Sequence, residues 1–124
     1  MNSSSKPTFD VDAMSEQAGK ASALLAAMCN RKRLLLLCQL IDGETTVNEL
    51  VERLALPQST VSQHLALLRQ HKLVRARRDG QLQLYSLAGE EARAILQTLQ
   101  DLYCDPHAQE TPDDETQAAN DDTN

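Results

Sequence analysis

The fold of this 124-residue chain is decided by the stretch Leu54-Ala55-Leu56-Pro57-Gln58-Ser59-Thr60-Val61-Ser62-Gln63-His64-Leu65. Pro57 ends the helical pattern before it, because a proline disfavours helical backbone at the preceding residue. Residues 58–71 then predict a new helix, in which Val61, Leu65 and Leu68 recur at helical spacing and form a buried face. Two short helices joined by so tight a break are typical of a helix-turn-helix.

The shorter helix of this pair begins at a capping box, in which Thr46 is the N-cap and Glu49 stands three residues later. Apolar residues at helical spacing predict three further helices, over residues 13–28, 31–42 and 90–104. Their apolar stripes are Met14, Ala18, Ala21, Leu25 and Met28, then Leu34, Leu37, Cys38 and Ile41, then Ala92, Ile95, Leu96, Leu99 and Tyr103. A core with so few aromatic residues suits packed helices better than a β-sandwich.

A β-hairpin is predicted after the helix-turn-helix. Residues 73–78 and 81–87 alternate between apolar and polar side chains, and they flank Asp79-Gly80, a dipeptide typical of two-residue hairpin turns. The predicted order of elements is therefore α-α-α-α-β-β-α. This fold class is mainly α with a β-hairpin wing, a winged helix-turn-helix.

The net charge of −6 is a property of the C-terminal tail. Residues 105–124 hold seven acidic side chains and no Lys or Arg, and without them the chain has 12 basic and 11 acidic residues. Residues 58–78 hold five basic side chains and no acidic one. The acidic average therefore does not exclude a nucleic-acid partner, which needs a locally basic surface.

We expect one domain between two polar ends. Residues 1–12 are predicted to be a flexible N-terminal arm, residues 13–104 a single winged-helix domain, to which the DNA-binding and dimerisation functions inferred below are assigned, and residues 105–124 a disordered acidic tail. No apolar run is long enough to span a membrane and no secretion leader is visible, so we expect a cytoplasmic protein. Three cysteines, an odd number, fit free thiols in a reducing compartment.

The polar face of residues 58–71 and the hairpin together predict a surface that binds double-stranded DNA. Short hydroxyl and amide side chains near the start of a helix can contact base edges or phosphates, and arginines on a hairpin suit flanking phosphates. The candidate DNA-binding residues are Gln58, Ser59, Thr60, Ser62, Gln63, His64, Arg69, Arg75, Arg77 and Arg78. For His64, phosphate contact and packing at the helix turn both remain open.

The run from Leu54 to Leu65 resembles the ArsR-type, arsenic-repressor-like winged-helix repressors. Similar segments are Asn30-Arg31-Lys32-Arg33-Leu34, Leu68-Arg69, Leu73-Val74 and Tyr85-Ser86-Leu87, so that the resemblance covers about residues 15–104. It implies a homodimer, formed largely by the first and last helices, that binds a palindromic operator. The family often has Gly where Lys72 stands, so we expect a left-handed conformation at Lys72 that costs on the order of 1 kcal/mol.

Metal sensing is common among such repressors, but the sequence argues against it here. Where the family has the box Glu-Leu-Cys-x-Cys, this chain has Glu49-Leu50-Val51-Glu52-Arg53. Val51 and Arg53 replace both thiolates, and an arginine cannot ligate a metal. The family's alternative site on the last helix needs two histidines, and residues 90–104 contain none. We therefore predict no metal and no cofactor.

Cys38 and Cys104 are the candidate sulfur-sensing residues. A single cysteine is often a small core residue, and Cys29 is interpreted in that way. However, Leu37-Cys38-Gln39-Leu40 and Leu102-Tyr103-Cys104 resemble the thiol-based branch of the ArsR family, the BigR, SqrR and HlyU type. That resemblance implies a sensor of reactive sulfur species, in which persulfide or polysulfide links the two thiols through extra sulfur atoms and releases the protein from DNA.

Other functions remain open at the level of sequence. Some members of the same branch respond to oxidants through these thiols, by sulfenic acid or disulfide formation. A metal-responsive repressor of the same fold is a further alternative, and a protein-interaction adaptor is an alternative from a different class. We do not expect an enzyme, because no nucleophile–base pair, carboxylate pair or glycine-rich phosphate loop is present.

Overall fold

The structure is a computed structural model that describes residues 9–104. Within this range the elements are α1 (Val11–Met28), α2 (Arg31–Leu40), β1 (Thr45–Thr46), α3 (Val47–Leu54), α4 (Gln58–Gln70), β2 (Val74–Asp79), β3 (Leu82–Leu87) and α5 (Glu90–Tyr103). The predicted fold class, mainly α with a β-hairpin wing, is confirmed. Strand β1 was not predicted, because two residues are too few to show alternation. The predicted acidic tail and most of the predicted N-terminal arm lie outside the described residues.

Side-chain caps set the beginnings of the first two helices. α1 begins at Val11, two residues before its predicted start, because the Asp10 side chain accepts a hydrogen bond from the Ala13 N–H at 3.1 Å. Asn30 caps α2 by accepting from the Arg33 N–H at 3.0 Å. These caps satisfy N–H groups that have no partner within the helix. α1 therefore includes the last two residues of the predicted arm.

Helix α2 has two apolar faces rather than the single one predicted. Leu36, Leu37 and Leu40 are fully buried in the core. Cys38, which the spacing assigned to the buried stripe, is exposed and lies on the face directed to α5. The four consecutive leucines at 34–37 place an apolar side chain on every side of the helix, so the sequence does not show which side is buried.

The rest of the core comes mainly from α3, α4, the hairpin and α5. Its buried members are Leu50, Val61, Leu65, Leu68, Leu73, Val74, Leu87, Ala92 and Leu96, with Ala27 and Met28 at the end of α1. The predicted buried face of α4 is confirmed. Because that face is fixed by packing, the opposite side of α4 is presented to solvent.

The three strands form an antiparallel sheet in the order β1-β3-β2. Asp79 pairs with Leu82, so the two-residue turn consists of Gly80 and Gln81, one residue later than predicted. Gly80 has a φ of +68°. A positive φ at the first turn residue favours glycine and matches the twist of a hairpin, so Gly80 rather than Asp79 opens the turn.

Among residues 9–104, two residues with a Cβ adopt left-handed backbone conformations. Lys72 does so between α4 and β2 with a φ of +63°, which confirms the prediction. Ala55 has a φ of +55° and ends α3, where its N–H donates to the Val51 carbonyl at 2.9 Å. Such a conformation costs on the order of 1 kcal/mol. The helix-turn-helix break is therefore made by Ala55, just before the Leu56-Pro57 dipeptide that the sequence indicated.

Helices α1 and α5 leave apolar side chains in solvent. Only the end of the predicted α1 stripe is buried within one chain, at Met28, whereas Met14 is 42% exposed and Leu25 is 53% exposed. On α5, Leu102 and Tyr103 are 59% and 73% exposed. No helix of the described part is both long and apolar enough to cross a membrane. The described residues of one chain therefore leave an apolar surface uncovered on these two helices.

Candidate DNA-binding surface and thiol pocket

Helix α3 is tied to β1 and α2 by a small polar network. The Thr46 hydroxyl accepts from the Glu49 N–H at 3.2 Å, which confirms the predicted cap. The Glu49 carboxylate accepts from the buried Thr45 hydroxyl at 2.5 Å and lies 3.9 Å from Arg53. The pKa of Glu49 lies below its ordinary value, chiefly because of the hydrogen bond from Thr45. The charge of Arg53 and a hydrogen bond from the Thr46 backbone lower it further. Arg53 also donates to Gln39 of α2 at 3.3 Å, so α3 is fixed from two sides.

The exposed side of α4 carries the residues predicted to read DNA. Successive positions along a helix turn by about 100°, so Ser59 and Gln63 lie opposite the buried face of α4, whereas Gln58 and Arg69 lie at its edge, in the first and last turns. Gln58, Ser59, Ser62, Gln63 and Arg69 are exposed, and Thr60 and His64 are half-buried. The predicted α4 residues therefore occupy the solvent side of the helix, with Ser59 and Gln63 at its centre.

His64 lies at the edge of this surface, near the start of α2. Partial burial lowers the pKa of its imidazole, and the charges of Arg33 and Lys32 lower it further. The neutral imidazole is therefore favoured, because a further cation would be repelled there. The proximity of α2 to α4 at His64 was not predicted. The available signal was the basic run Arg31-Lys32-Arg33 directly after the Asn30 cap.

Arg33 joins α1 to α2. Its Nε donates to the Ala27 carbonyl at 2.6 Å, and its Nη2 donates to the Ala26 carbonyl at 3.4 Å. Carbonyls at the end of a helix lack partners within the helix, and a cation also interacts favourably with the helix dipole there. Arg33 therefore fixes the connection between the two helices.

The three wing arginines have different environments. Alternate side chains of a strand face opposite sides of the sheet, so Arg75 and Arg77 share one face and Arg78 lies on the other. Arg77 forms a fork with Glu44, with Nε 2.6 Å from Oε2 and Nη2 2.9 Å from Oε1. This hydrogen bonding raises the pKa of Arg77 and lowers that of Glu44. Within residues 9–104, neither Arg75 nor Arg78 has a carboxylate partner.

Cys38 and Cys104 line one pocket between α2 and α5. The pocket has a volume of about 450 Å³ and a mainly apolar lining. Its other lining residues include Leu34, Ile41, Asp42, Leu96, Leu99 and Tyr103. The structure therefore brings the two predicted thiols to the same place, although they are far apart in the sequence.

The environment of Cys38 favours its thiol form. Partial burial raises the pKa of Cys38, and the neighbouring Cys104 raises it further. One side of Cys38 contacts the apolar lining of the pocket while the other remains open to solvent. Cys29, interpreted from the sequence as a packing residue, is instead exposed at the C-cap of α1 and does not line this pocket.

The part of the chain that the structure describes has no group of three or more His, Cys, Asp or Glu side chains placed to hold a metal ion. At the position of the family's metal box, Val51 packs against the core and Arg53 is engaged with Glu49 and Gln39. These side chains offer no thiolate or imidazole, which are the ligands that soft metals prefer.

Comparison with known proteins identifies the family. Residues 30–76 match the model described as bacterial regulatory protein, arsR family. The chain is 44% identical over 96 residues to the transcriptional activator HlyU of Vibrio cholerae, which covers 77% of this chain and 89% of that protein. It is 30% identical over 104 residues to a biofilm growth-associated repressor of Xylella fastidiosa, covering 84% and 91% respectively. These relatives are transcription regulators, which confirms that the chain is not an enzyme.

Two solved structures share the fold. Reduced HlyU from Vibrio cholerae matches with a TM-score of 0.71 at 46% identity, covering 74% of this chain and 97% of that chain. The transcriptional repressor BigR from Xylella fastidiosa matches with a TM-score of 0.73 at 30% identity, covering 77% and 98%. The chain therefore belongs to the arsR family of bacterial regulatory proteins, in its HlyU- and BigR-like branch, and is a DNA-binding transcription regulator.

Proposed function

We propose that the protein is a homodimeric repressor whose operator binding is switched by reactive sulfur species at Cys38 and Cys104. The observation that carries this proposal is the pocket between α2 and α5, which both thiols line. The relative from Xylella fastidiosa is described as a repressor, which supports a repressing role. A related HlyU structure is described as the reduced form, which supports chemistry at thiols.

The proposed DNA contacts lie on α4 and the wing. The exposed hydroxyls and amides of α4 suit base edges in the major groove, and the arginines suit phosphates. Pro57 gives α4 no side-chain cap, so the N–H groups of its first turn keep their capacity to bind a phosphate. The residues in this interface are Gln58, Ser59, Thr60, Ser62, Gln63, His64, Arg69, Arg75, Arg77 and Arg78.

The exposed apolar surface of α1 and α5 supports a homodimer. Leu25 on α1 and Leu102 and Tyr103 on α5 are all more than half exposed. Apolar patches of this kind mark interaction surfaces in soluble proteins. A two-fold dimer would place two α4 helices about 34–36 Å apart, the spacing of successive major grooves.

The sulfur chemistry balances with a persulfide, RSSH, as the only oxidant. Each cysteine thiolate takes the terminal sulfur of one RSSH and releases the thiol RSH, so that two cysteine persulfides form. The persulfide of one cysteine then attacks the Sγ of the other, expels H₂S and leaves a Cys–S–S–S–Cys linker. Two thiols are oxidised and one sulfane sulfur is reduced to sulfide, while the protons leave with RSH and H₂S.

The length of the linker separates this chemistry from direct oxidation. A direct disulfide needs Cα atoms about 5.5 Å apart, and a separation beyond about 7 Å forbids it without backbone movement. A linker with extra sulfur atoms spans a wider gap. Spacing between α2 and α5 can therefore favour sulfane sulfur over peroxide.

A linker between Cys38 and Cys104 would fix α5 against α2. The two helices are already joined at one end of the pocket, where Arg93 donates to the Ile41 carbonyl at 3.2 Å. α2 packs on α4 through the shared core, and α5 belongs to the proposed dimer interface. A coupling of about 1–3 kcal/mol between thiol state and operator binding would change the affinity roughly 5–150-fold.

The test uses a DNA duplex selected from a random pool by the reduced protein, with binding followed by fluorescence anisotropy. Treatment with glutathione persulfide should weaken binding roughly 5–150-fold in the wild type, whereas Cys38→Ser and Cys104→Ser should retain it. Cys29→Ser is the matched control and should respond like the wild type. A Cys38→Ser protein that still lost its operator would contradict the proposal.

Intact-mass spectrometry of the same samples identifies the product. Persulfide treatment should add the mass of one or more sulfur atoms with the loss of two hydrogens. Loss of two hydrogens alone after peroxide, together with release from DNA, would favour the oxidant-sensing alternative. No mass change with either reagent would remove the sensor function altogether.

A further inference from the structure

The pair formed by Glu44 and Arg77 joins the two edges of the sheet across its central strand. Glu44 directly precedes β1, Arg77 lies on β2, and β3 separates them. Leu84 of β3 is the register partner of both Arg77 and Thr46. Two contacts, of 2.6 and 2.9 Å, form the fork geometry in which arginine binds a carboxylate.

A DNA phosphate would use the same donors. Arginine binds phosphate oxygens through the same planar fork of N–H groups, so a phosphate and the Glu44 carboxylate compete for Arg77. The Arg77 side chain is 56% exposed and that of Glu44 is 36% exposed, which leaves the pair within reach of a duplex. Arg75, on the same face of β2, has no carboxylate partner among residues 9–104.

We propose that Glu44 is an internal competitor of DNA phosphate at Arg77 and lowers the affinity of the wing for DNA of any sequence. Phosphate binding at Arg77 requires the fork to open, whereas Arg75 and Arg78 bind without that step. Phosphate contacts carry no sequence information, so Glu44 acts on the sequence-independent part of binding. The inference rests on the proposed function only in assigning the wing to DNA.

The test measures binding of the full chain to a random-sequence duplex over a range of salt concentrations. Glu44→Gln keeps the shape of the side chain and removes the competing charge. We expect it to bind roughly threefold to tenfold more tightly at low salt, with the slope of log K against log salt steeper by about 0.9, the value of one further phosphate contact.

A control variant and an Arg77→Gln background separate the competition for Arg77 from a simple change in net charge. Glu16→Gln removes an exposed acid from the side of α1 opposite its apolar stripe and should leave the slope unchanged. In an Arg77→Gln protein, Glu44→Gln has no arginine to release, so its gain should fall to that of Glu16→Gln. An equal gain with and without Arg77 would overturn the proposal. Weaker binding by Glu44→Gln would also overturn it, since the pair would then support the wing.

An Arg75→Gln variant separates this inference from the proposed function. If Arg75→Gln weakens binding and Glu44→Gln does not strengthen it, the competition is wrong while the wing still contacts DNA. If Arg75→Gln and Arg78→Gln both leave binding unchanged, the assignment of the wing to DNA is wrong as well. Circular dichroism and thermal unfolding of each variant verify that the fold is kept.

Discussion

The segment from β1 to β3 (residues 45–87), which we assign to DNA and call the DNA-reading segment, differs from helices α1 and α5 in how fully one chain covers its apolar side chains. In the segment, Val61 and Leu65 are buried, and Thr46 caps α3 from within. On the two helices, Leu25 and Leu102 remain more than half exposed. The segment is thus shaped by contacts within one chain, whereas α1 and α5 have apolar surfaces that we assign to a second copy.

The largest expected effect breaks the DNA-reading segment. Leu65→Ala removes a fully buried side chain and should lower the free energy of unfolding by about 2–5 kcal/mol, since it leaves a cavity in the core. Leu82→Ala, at a position 54% exposed in the same segment, should change it by less than about 0.5 kcal/mol. Urea unfolding measures both. Similar losses of unfolding free energy in the two variants would show that the stability of the segment does not depend on its buried side chains.

The next effect concerns the exposed apolar side chains of α1. Leu25→Glu places a charge in the proposed interface and should weaken dimerisation by about 2–3 kcal/mol, roughly 30–150-fold in the dissociation constant. Ala23→Glu, on the opposite side of α1, is the matched control. Sedimentation equilibrium measures the assembly, and the monomer should stay folded because the position is exposed. Equal weakening by both variants would contradict an interface on the Leu25 face.

A smaller effect tests the contact between α2 and α5. Because burial and Cys104 raise the pKa of Cys38, alkylation of Cys38 by iodoacetamide should rise at higher pH in the folded protein than in urea. Cys104→Ser should move the curve back only partway, since burial remains. Peptide mass spectrometry measures the alkylation of Cys38 separately from that of Cys29 and Cys104, because trypsin cleaves between the three cysteines. Coincident folded and unfolded curves would contradict the partly buried environment of Cys38.

The smallest effect concerns the helix-turn-helix break. Ala55→Gly relieves a left-handed conformation at a residue with a Cβ and should raise stability by about 0.5–1 kcal/mol. That corresponds to a thermal shift of about 2–8 °C for a domain of this size. Ala66→Gly, at an exposed position inside α4, should have the opposite sign and about the same size. Destabilisation by Ala55→Gly would show that the left-handed turn carries no strain.

Local signals predicted the elements of the DNA-reading segment well. Thr46 sits next to the N–H groups that it caps, and the spacing of Val61, Leu65 and Leu68 alone determines the inward side of α4. The left-handed Lys72 was also predicted, from its place in a pattern that often has glycine. Such features depend on residues within one or two turns of each other, which a sequence displays directly.

Local signals did not predict features that depend on distant residues, and the pairing of Cys38 with Cys104 was predicted only from the resemblance to a family. The run of leucines in α2 did not show which side of the helix is buried. Cys38 was therefore assigned to the buried stripe, although it faces α5. The pairing of Glu44 with Arg77 exists only because β1 and β2 flank β3. The exposed α1 stripe looked like core because periodicity records that a face is apolar and does not record what covers it.

The two-residue strand β1 has a consequence for the whole topology. By pairing with β3, it brings the two ends of the DNA-reading segment side by side. α2 leads into β1 and α5 leads out of β3, so both helices leave the sheet as neighbours, and Arg93 of α5 reaches the Ile41 carbonyl at the end of α2. The adjacency of the two cysteine-bearing helices is thus set by connectivity. Changes of length in the α3–α4 turn or at the tip of the hairpin would leave it intact.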